Sequence, residues 1–158
     1  MGALDGIRIL DLSRILAGPW ATQMLSDLGA DVVKVEADWG DDTRKWGPPF
    51  IEDDAAYFHA CNRGKRSIIL DIKSDDGIEL LHRLIERADV VVENFRTGTL
   101  EKLGLSSEIF EGKILCRITG YGQTGPRASE PGYDVALQAM SGIMSVTGTA
   151  DGEPAKVG

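Results

Sequence analysis

IRILDLSRILAGPWATQMLSDLGADVVKVE, residues 7–36, combines two short apolar segments with an intervening segment of helical character. Residues 7–12 are branched and apolar, a pattern that favours a buried strand. Residues 17–29 carry a proline near their start and a glycine at their end, as the two ends of a helix often do. Residues 31–36 repeat the strand pattern. This stretch therefore predicts a strand, a helix and a second strand in succession.

Three further strand patterns follow along the chain. The segment after the third strand opens with Ser74, a favoured helix-capping residue, and then has apolar residues at helical spacing. A last helix is expected from Tyr133 to about Met144, and residues 37–50 are expected to form a long loop. The three strands are expected at residues 67–71, 89–93 and 113–119.

This alternation of strands and helices decides the fold class. It specifies a parallel sheet covered by helices on both faces, so we expect an α/β fold with a Rossmann-like sheet. At 158 residues the chain is expected to form one domain, residues 1–158. Residues 146–158 are rich in Gly, Thr and Pro and contain no closing element, so this domain is expected to be truncated.

Composition and charge disfavour several classes of function. The chain has 42% hydrophobic and 27% charged residues, which is ordinary for a globular protein. Its formal net charge of -8 disfavours nucleic acid or an anionic membrane as a partner, because both require basic surfaces. No apolar run is long enough to cross a membrane and no signal peptide precedes the first strand, so a cytoplasmic protein is expected.

The cysteines and histidines indicate neither a disulfide framework nor a metal site. Cys61 and Cys116 lie in unrelated contexts and are expected to be buried free thiols. His59 and His82 are far apart and lack nearby Asp, Glu or Cys residues in a metal-ligand pattern. The chain also lacks a Ser-His-Asp order, a G-x-S-x-G elbow and a Walker sequence.

A ligand of such a sheet is expected beyond the carboxyl ends of its strands. Four of these ends carry polar or small residues, namely Ser13 and Arg14, Glu36, Asn94 and Phe95, and residues 119–122. After the first strand, residues 16–19 could bring the backbone close to an anion at a helix N-terminus, or could simply form the helix entry.

Three other patterns leave alternatives open. Residues 63–66, Arg-Gly-Lys-Arg, form a dense basic cluster that could meet a phosphate or be solvated surface. Arg44 could contact an anion or pair with Asp41 or Asp42. Residues 120–125 match G-x-G-x-x-G, but a proline follows and no apolar helix opens there, so we expect a flexible loop or turn instead of a dinucleotide site.

Five segments, which together span nearly the whole chain, carry a resemblance to a known family. They are residues 4–36, GDDTRKWGPPF at 40–50, NRGKRSIILDIKSDDG at 62–77, ADVVVENFRTGTLEKLGL at 88–105 and ITGYGQTGPRASEPGYDVALQAMSG at 118–142. In these segments the chain resembles the N-terminal part of the large domain of family III (CaiB/BaiF-type) CoA transferases. It looks most like the branch that moves CoA between succinyl-CoA and other dicarboxylic acids.

The resemblance implies transfer of CoA from an acyl-CoA donor to a free carboxylic acid. In the family an aspartate attacks the thioester to form a mixed anhydride, and the CoA thiolate returns to give an aspartyl-CoA thioester that the acceptor acid then resolves. The resemblance also implies an interlocked homodimer. Coenzyme A and acyl-CoA are expected as substrates, with no permanently bound cofactor and no metal.

The resemblance places ten residues at the CoA and substrate site and assigns none of them as catalytic. They are Ser13, Arg14, Leu16 and Ala17 beyond the first strand, Lys65 and Arg66 near the CoA phosphates, Asn94 and Phe95 along pantetheine and adenine, and Tyr133 and Asp134 near the acyl group. The nucleophile is expected in a V-G-x-x-x-x-D segment that starts at Val157, hence just after residue 158. The isolated chain is therefore expected to be inactive.

Two departures from the family pattern bear on substrate binding. Ala37 stands where many members have an arginine that can meet a CoA phosphate. Leu16 stands where the oxalate-using relative has a glutamine, which favours an acyl group larger than oxalate. Two alternatives to a transferase are a non-catalytic CoA-binding or dimerisation module and an α-methylacyl-CoA racemase, although Tyr133 replaces the racemase histidine.

Overall fold

The computed structural model describes residues 2–158, which fall into two compact units. The first unit ends at Ile118 and the second spans Thr119–Gly158. The strands of the first unit are β1 (Arg8–Asp11), β2 (Asp31–Glu36), β3 (Phe50–Ile51), β4 (Asp54–Ala55), β5 (Arg66–Ile69), β6 (Val90–Glu93) and β7 (Ile114–Arg117). Its helices are α1 (Ala17–Asp27), α2 (Ala56–Asn62), α3 (Asp75–Arg87) and α4 (Thr99–Lys102), with 3₁₀ turns at Asp42–Lys45 and Ser107–Phe110.

Five of these strands form one parallel sheet in the order β5-β2-β1-β6-β7. This is the order of a Rossmann sheet, in which successive strands are first added on one side of the first strand and then, from the fourth strand on, on its other side. The expected α/β class is therefore confirmed, as are all five predicted strands, whose ends shift by at most two residues. The reversal point lies between β1 and β6, where Leu10 is paired with Val91.

The two faces of the sheet pack against different helices. Ile9, Val32 and Val92 point to one face, where Leu25 of α1 packs against them. Successive residues of a strand point to opposite faces, so Leu10 and its neighbours meet α3 on the other side. The buried apolar cluster on the α3 side comprises Leu10, Leu12, Val35, Leu81, Ile85, Ala88, Val91, Leu100, Leu105 and Phe110.

Helix α3 begins as its sequence predicts. The Ser74 hydroxyl accepts a hydrogen bond from the Gly77 amide at 3.1 Å, and acidic residues occupy the first turn. Leu81 and Ile85 are fully buried, which follows from their i, i+4 spacing on one face of the helix.

The region after β2 contains more structure than the sequence predicts. Residues 37–50 include the 3₁₀ turn, and beyond them come the β3-β4 hairpin and helix α2, which was not predicted. These elements are only two to seven residues long, so they show little periodicity. The cysteine expectation is half correct, because Cys61 is buried on α2 but Cys116 is exposed on the edge strand β7.

The second unit contains α5 (Asp134–Met140) and a 3₁₀ turn at Ile143–Val146. The helix ends earlier than predicted because Gly142 adopts a left-handed conformation with φ 81°. The G-x-G-x-x-G segment opens no helix, as expected. None of residues 119–158 is buried. Within residues 2–158, no helix is long and apolar enough to cross a bilayer, and no cluster of potential metal ligands occurs.

Candidate functional site

A pocket of about 250 Å³ lies over the carboxyl ends of four parallel strands. It includes the reversal point between β1 and β6, which is where ligands of doubly wound sheets bind. Its lining comes from the end of β2 and from the segments that follow β1, β5 and β6. The lining residues include Leu12, Arg14, Val35, Ala37, Leu70, Lys73 and Phe95. The pocket therefore lies at the edge of the sheet where the sequence predicts a ligand.

The pocket combines apolar walls with charges of both signs, since Glu36, Asp41 and Asp71 line it together with Arg14, Lys34 and Lys73. Leu70 and Phe95 extend the apolar cluster of the α3 side to the pocket wall. Arg14 lines the pocket and forms an ion pair with Asp42, although both side chains stay partly exposed. Lys73 also lines it, and among residues 2–158 it has no ion-pair partner. A ligand that combines a flat or flexible apolar part with anionic groups fits these properties.

Lys73 was not predicted as a site residue, although a signal for it was present. The prediction used the ends of four strands and omitted the end of the strand at residues 67–71. Lys73 follows that strand by two residues. Applying the rule on strand ends to every strand would have found it.

Ser13 lies beneath the pocket and is held by Asp11. The Asp11 carboxylate accepts hydrogen bonds from the Ser13 amide at 3.0 Å and from the Ser13 hydroxyl. It also accepts from the Thr22 hydroxyl at 2.6 Å and pairs with the Lys65 ammonium at 2.9 Å. Asp11, Ser13 and Thr22 are fully buried, so this cluster fixes Ser13 from the interior side.

Lys34 holds the same loop from the second strand. Its ammonium donates to the Ser13 carbonyl at 2.7 Å and pairs with Asp41 at 2.9 Å, and the Lys34 side chain is only 1% exposed. Asp41 also accepts from the Ile15 amide and from the backbone and hydroxyl of Thr43. Burial acts to raise the pKa of Asp41, but the Lys34 charge and the Thr43 hydrogen bonds outweigh it and lower the pKa.

Arg44 pairs with neither Asp41 nor Asp42, the two carboxylates that the sequence offered as partners. Its guanidinium binds both carboxylate oxygens of Glu36, at 2.6 and 2.7 Å, and Asp54 at 2.6 Å. It also lies over the Phe58 ring, 3.7 Å from the ring centroid. The reason is geometric, since the 3₁₀ turn at Asp42–Lys45 returns the chain towards the end of β2. Arg44 thus serves to neutralise the buried Glu36 carboxylate.

Asn94, which follows β6, binds the β1–α1 loop at the reversal point between β1 and β6. Its side-chain oxygen accepts from the Arg14 amide at 2.8 Å, and its side-chain nitrogen donates to the Arg14 carbonyl at 2.7 Å. Both ends of the amide are thus engaged with one residue of the β1–α1 loop. The neighbouring Phe95 lines the pocket, and its amide donates to the Glu93 carboxylate at 2.6 Å.

The start of α1 packs closely against Ser13. A side chain at Gly18 would lie 2.2 Å from the Ser13 side chain, so this glycine is needed for close packing of the helix entry against Ser13. Leu16 precedes the helix, makes no side-chain cap and is 40% exposed, while Ala17 is the first helical residue. The first amides of α1 therefore have no capping side chain.

Lys65 and Arg66, both predicted to lie near CoA phosphates, have different surroundings. The Lys65 side chain is only 2% exposed, and its ammonium also binds the Pro19 carbonyl and the Asn62 side chain. Burial lowers the pKa of Lys65, against the opposing effect of Asp11. Arg66 begins β5 and pairs at 2.7 Å with Asp31, which begins β2, so it lies away from the carboxyl ends of the strands. A phosphate role for either residue stays a prediction.

Tyr133 and Asp134 belong to the second unit. Tyr133 precedes α5 and is 68% exposed. Asp134 is the first residue of α5, and its carboxylate accepts from the Gln138 side chain at 2.6 Å instead of capping the helix backbone. The structure thus groups Ser13, Arg14, Asn94 and Phe95 at one edge of the sheet in the first unit.

Comparisons with known proteins identify the family. The family model described as CoA-transferase family III matches residues 4–158. A succinate–glutarate CoA-transferase of Agrobacterium fabrum is 55% identical over 98% of this chain and 42% of its own length. A succinyl-CoA:glutarate CoA-transferase of Mus musculus is 50% identical over 100% of this chain and 37% of its own length.

A solved structure agrees with this family. The crystal structure of a CAIB/BAIF family protein from Brucella suis superposes with a TM-score of 0.94 at 56% identity, covering 99% of this chain and 44% of that one. The chain therefore spans less than half the length of these relatives. From the sheet order, the pocket at the strand ends and these matches, the chain belongs to CoA-transferase family III.

Proposed function

We propose that this protein transfers CoA from an acyl-CoA donor to a dicarboxylic acid, and that the pocket over β1, β2, β5 and β6 holds the CoA. The observation that carries the proposal is that Lys73, which follows β5, and Phe95, which follows β6, line one pocket. An aromatic wall suits the adenine or pantetheine, and an unpaired ammonium suits a phosphate. Ala37, which lies in the same pocket, offers no charge, so Lys73 and Arg14 supply the attraction.

The reaction proposed is the one that the family resemblance implies. An aspartate oxygen attacks the thioester carbon, the C–S bond breaks, and the CoA thiolate leaves a mixed anhydride. The thiolate attacks the aspartyl carbon and displaces the first acid, which gives an aspartyl-CoA thioester. The acceptor carboxylate attacks that thioester and releases the CoA thiolate, which gives a second mixed anhydride between the acceptor and the aspartate. The thiolate then attacks the acceptor carbonyl carbon, which forms the new acyl-CoA and releases the aspartate carboxylate.

Residues 1–158 contribute binding to this reaction, since the aspartate is expected after Val157 and Gly158. The uncapped first turn of α1 is a suitable place for a carboxylate or for the negative charge that develops on a thioester oxygen. Leu16 stands at that turn and exposes an apolar side chain, which favours an acyl chain with several methylene groups. Two relatives are named for glutarate, which agrees with an acceptor of that size.

We also propose that the protein assembles as a homodimer. Residues 119–158 contain no buried residue but several exposed apolar ones, including Tyr133, Met140 and Val146. Exposed apolar groups of this kind suit burial against further polypeptide. A protein that remains monomeric in sedimentation at micromolar concentration would contradict this part of the proposal.

Calorimetric titration with CoA tests the site directly. Lys73→Met should weaken CoA binding about tenfold, because it removes a phosphate contact. Arg87→Met is the matched control: Arg87 is an exposed cation at the end of α3, outside the pocket, and its loss should leave affinity within about twofold. Equal weakening by both variants, or no CoA binding at all, would refute the site.

Exchange of label between succinyl-CoA and glutarate tests the reaction. The protein that includes the expected aspartate should catalyse exchange, and residues 1–158 alone should bind CoA without exchange. Binding with no exchange in either case would instead support the alternative of a CoA-binding module.

A further inference from the structure

In the β1–α1 loop, the backbone of residues 13–15 is held by side chains instead of by other backbone groups. We call the four residues that hold it the loop clamp: Asp11, Lys34, Asp41 and Asn94. The Ser13 amide donates to Asp11, and the Arg14 amide and carbonyl both bond to Asn94. Lys34 donates to the Ser13 carbonyl, and Asp41 accepts from the Ile15 amide.

The clamp holds a conformation that the loop sequence disfavours. Ile15 has φ 70°, a left-handed conformation that is an outlier for a β-branched residue. Such a residue persists only where its surroundings determine the backbone, and backbone outliers of this kind concentrate at ligand sites. The Ile15 amide donates to Asp41 at 3.2 Å, so the disfavoured residue is fixed at its own nitrogen.

The Lys34–Asp41 pair is unusual because both members are buried. Their side chains are 1% and 0% exposed, and the pair spans from the middle of the sheet to the loop after β2. A buried ion pair is weak evidence of stabilisation, since apolar residues of similar size often stabilise a core at least as well. What apolar residues cannot do is donate to the Ser13 carbonyl and accept from the Ile15 amide.

We infer that Lys34 and Asp41 are positioning residues, whose buried pair holds residues 13–15 in the conformation that places Arg14 and the start of α1 against the ligand. This inference rests on the proposed CoA site. Both residues also line the pocket, but their polar atoms are occupied by Ser13, Ile15, Thr43 and each other, so they act on the ligand through the loop. Loss of the pair frees the loop to relax at Ile15, and Arg14 then leaves the pocket wall.

The test is the double variant Lys34→Met with Asp41→Leu, which removes the acceptor of the Ile15 amide, compared with Ile85→Val. The double variant leaves no unpaired buried charge, so it should fold where either single change could fail. Ile85 lies in the apolar cluster on α3 and outside the pocket, so its variant controls for lost stability alone. Urea unfolding places both variants on one stability scale, and Ile85→Ala replaces the control if a larger loss must be matched.

Two readouts separate positioning from stability. The double variant should raise the Kd for CoA at least about tenfold, because small displacements of binding groups have large effects, while the control stays within about twofold. Hydrogen exchange of the Arg14 and Ile15 amides should accelerate in the double variant and not in the control. Unchanged exchange at these amides, or faster exchange with unchanged CoA affinity, would overturn the inference.

Failure of the proposed function would look different. The unsubstituted protein would then bind no CoA, while exchange at Arg14 and Ile15 would still report whether the pair holds the loop. Faster exchange in the double variant would keep the structural part of the inference, and unchanged exchange would remove it as well.

Discussion

The two faces of β1 and β2 are built from different kinds of residue. Towards α3, Leu10, Leu12 and Val35 contribute to an apolar cluster. Towards α1, the same strands bury Asp11, Lys34 and Glu36 at their carboxyl ends, each with a partner of opposite charge. At the carboxyl ends of these strands, the α3 face is thus stabilised by burial of apolar area, whereas the α1 face, which is apolar further back at Ile9 and Val32, depends on paired charges.

This difference separates the residues that stabilise the fold from those that position the loops of the site. Apolar packing tolerates changes of shape but cannot hold individual backbone groups of a loop. The charged side chains can hold such groups, because a carboxylate or an ammonium forms directional hydrogen bonds with individual backbone atoms. The charged side chains of the α1 face form hydrogen bonds to the β1–α1 loop and to the loop after β2, and both loops line the pocket.

The largest effect should come from placing methionine on each face. Lys65→Met leaves the buried Asp11 carboxylate without its cation, and should lower the free energy of unfolding by about 3–5 kcal/mol. Leu81→Met on α3 keeps the side-chain volume, and should lower it by less than about 1.5 kcal/mol. Urea unfolding of the two variants measures the contrast. Equal losses would show that the two faces do not differ in the way described.

A second variant checks the cause of that loss. Adding Asp11→Asn to Lys65→Met removes the unpaired charge and keeps a side-chain acceptor for Ser13, while the Thr22 hydroxyl can donate to the Gly18 carbonyl. The double variant should therefore be more stable than Lys65→Met alone, by about 0.5–3 kcal/mol of coupling. Further destabilisation would point to lost packing of the Lys65 stem instead of a stranded charge.

Acid should weaken the α1 face selectively. The folded-state pKa of Asp41 is below its ordinary value of 3.8, and that of Glu36 is below 4.5, where burial opposes but Arg44 and Ser67 prevail. A carboxylate with a lowered folded pKa contributes stability above its ordinary pKa and loses that contribution as the pH falls through the folded value. The contribution of both carboxylates is therefore complete at neutral pH and is lost in strong acid.

The double variant Lys34→Met with Asp41→Leu, which leaves no unpaired buried charge, sharpens this prediction. It should lose less unfolding free energy than the unsubstituted protein when the pH is lowered from above 3.8 to below it, because one of the carboxylates with a lowered pKa is absent. Leu81→Met, which changes no charge, should keep the acid dependence of the unsubstituted protein. Urea unfolding at a series of pH values measures both, and parallel curves for all three proteins would contradict the prediction.

The sequence predicted the sheet well because its signals are local. Each of the five strands is a short apolar run, and Ser74 marks a helix start by its own chemistry. Helix α2 and the β3-β4 hairpin were missed because they are too short for periodicity and are fixed by tertiary contacts. One such contact is Arg44, which joins Glu36 to Asp54 of the hairpin and lies over Phe58 of α2.

The site could be predicted only in outline. The rule on strand ends located Ser13, Arg14, Asn94 and Phe95, because the parallel order brings those ends to one edge. The pairings were beyond reach, since Asp11 and Lys65 are 54 residues apart and nothing in the sequence joins them. The basic cluster at residues 63–66 shows the consequence, because one of its members is buried while its neighbour is exposed.

A smaller effect is expected at the start of α3. Ser74→Ala removes the acceptor for the Gly77 amide and the donor to the Asp71 carbonyl, and should lower the free energy of unfolding by about 1 kcal/mol. Ser106→Ala is a matched control, since Ser106 precedes a 3₁₀ turn without capping it and should change stability by less than about 0.5 kcal/mol. A larger loss at Ser106 would contradict the capping explanation.

The smallest effect is expected at Arg66, the neighbour of Lys65. Arg66→Met breaks an ion pair with Asp31 in which the side chains are 68% and 51% exposed, so water takes over the solvation of both charges. The free energy of unfolding should fall by no more than about 1 kcal/mol, and the loss should shrink further at high salt. Lys65→Met makes the same kind of change one residue earlier, where Asp11 has no access to water. The two variants measured in parallel therefore isolate burial, and a loss at Arg66 as large as that at Lys65 would mean that burial does not set the strength of these pairs.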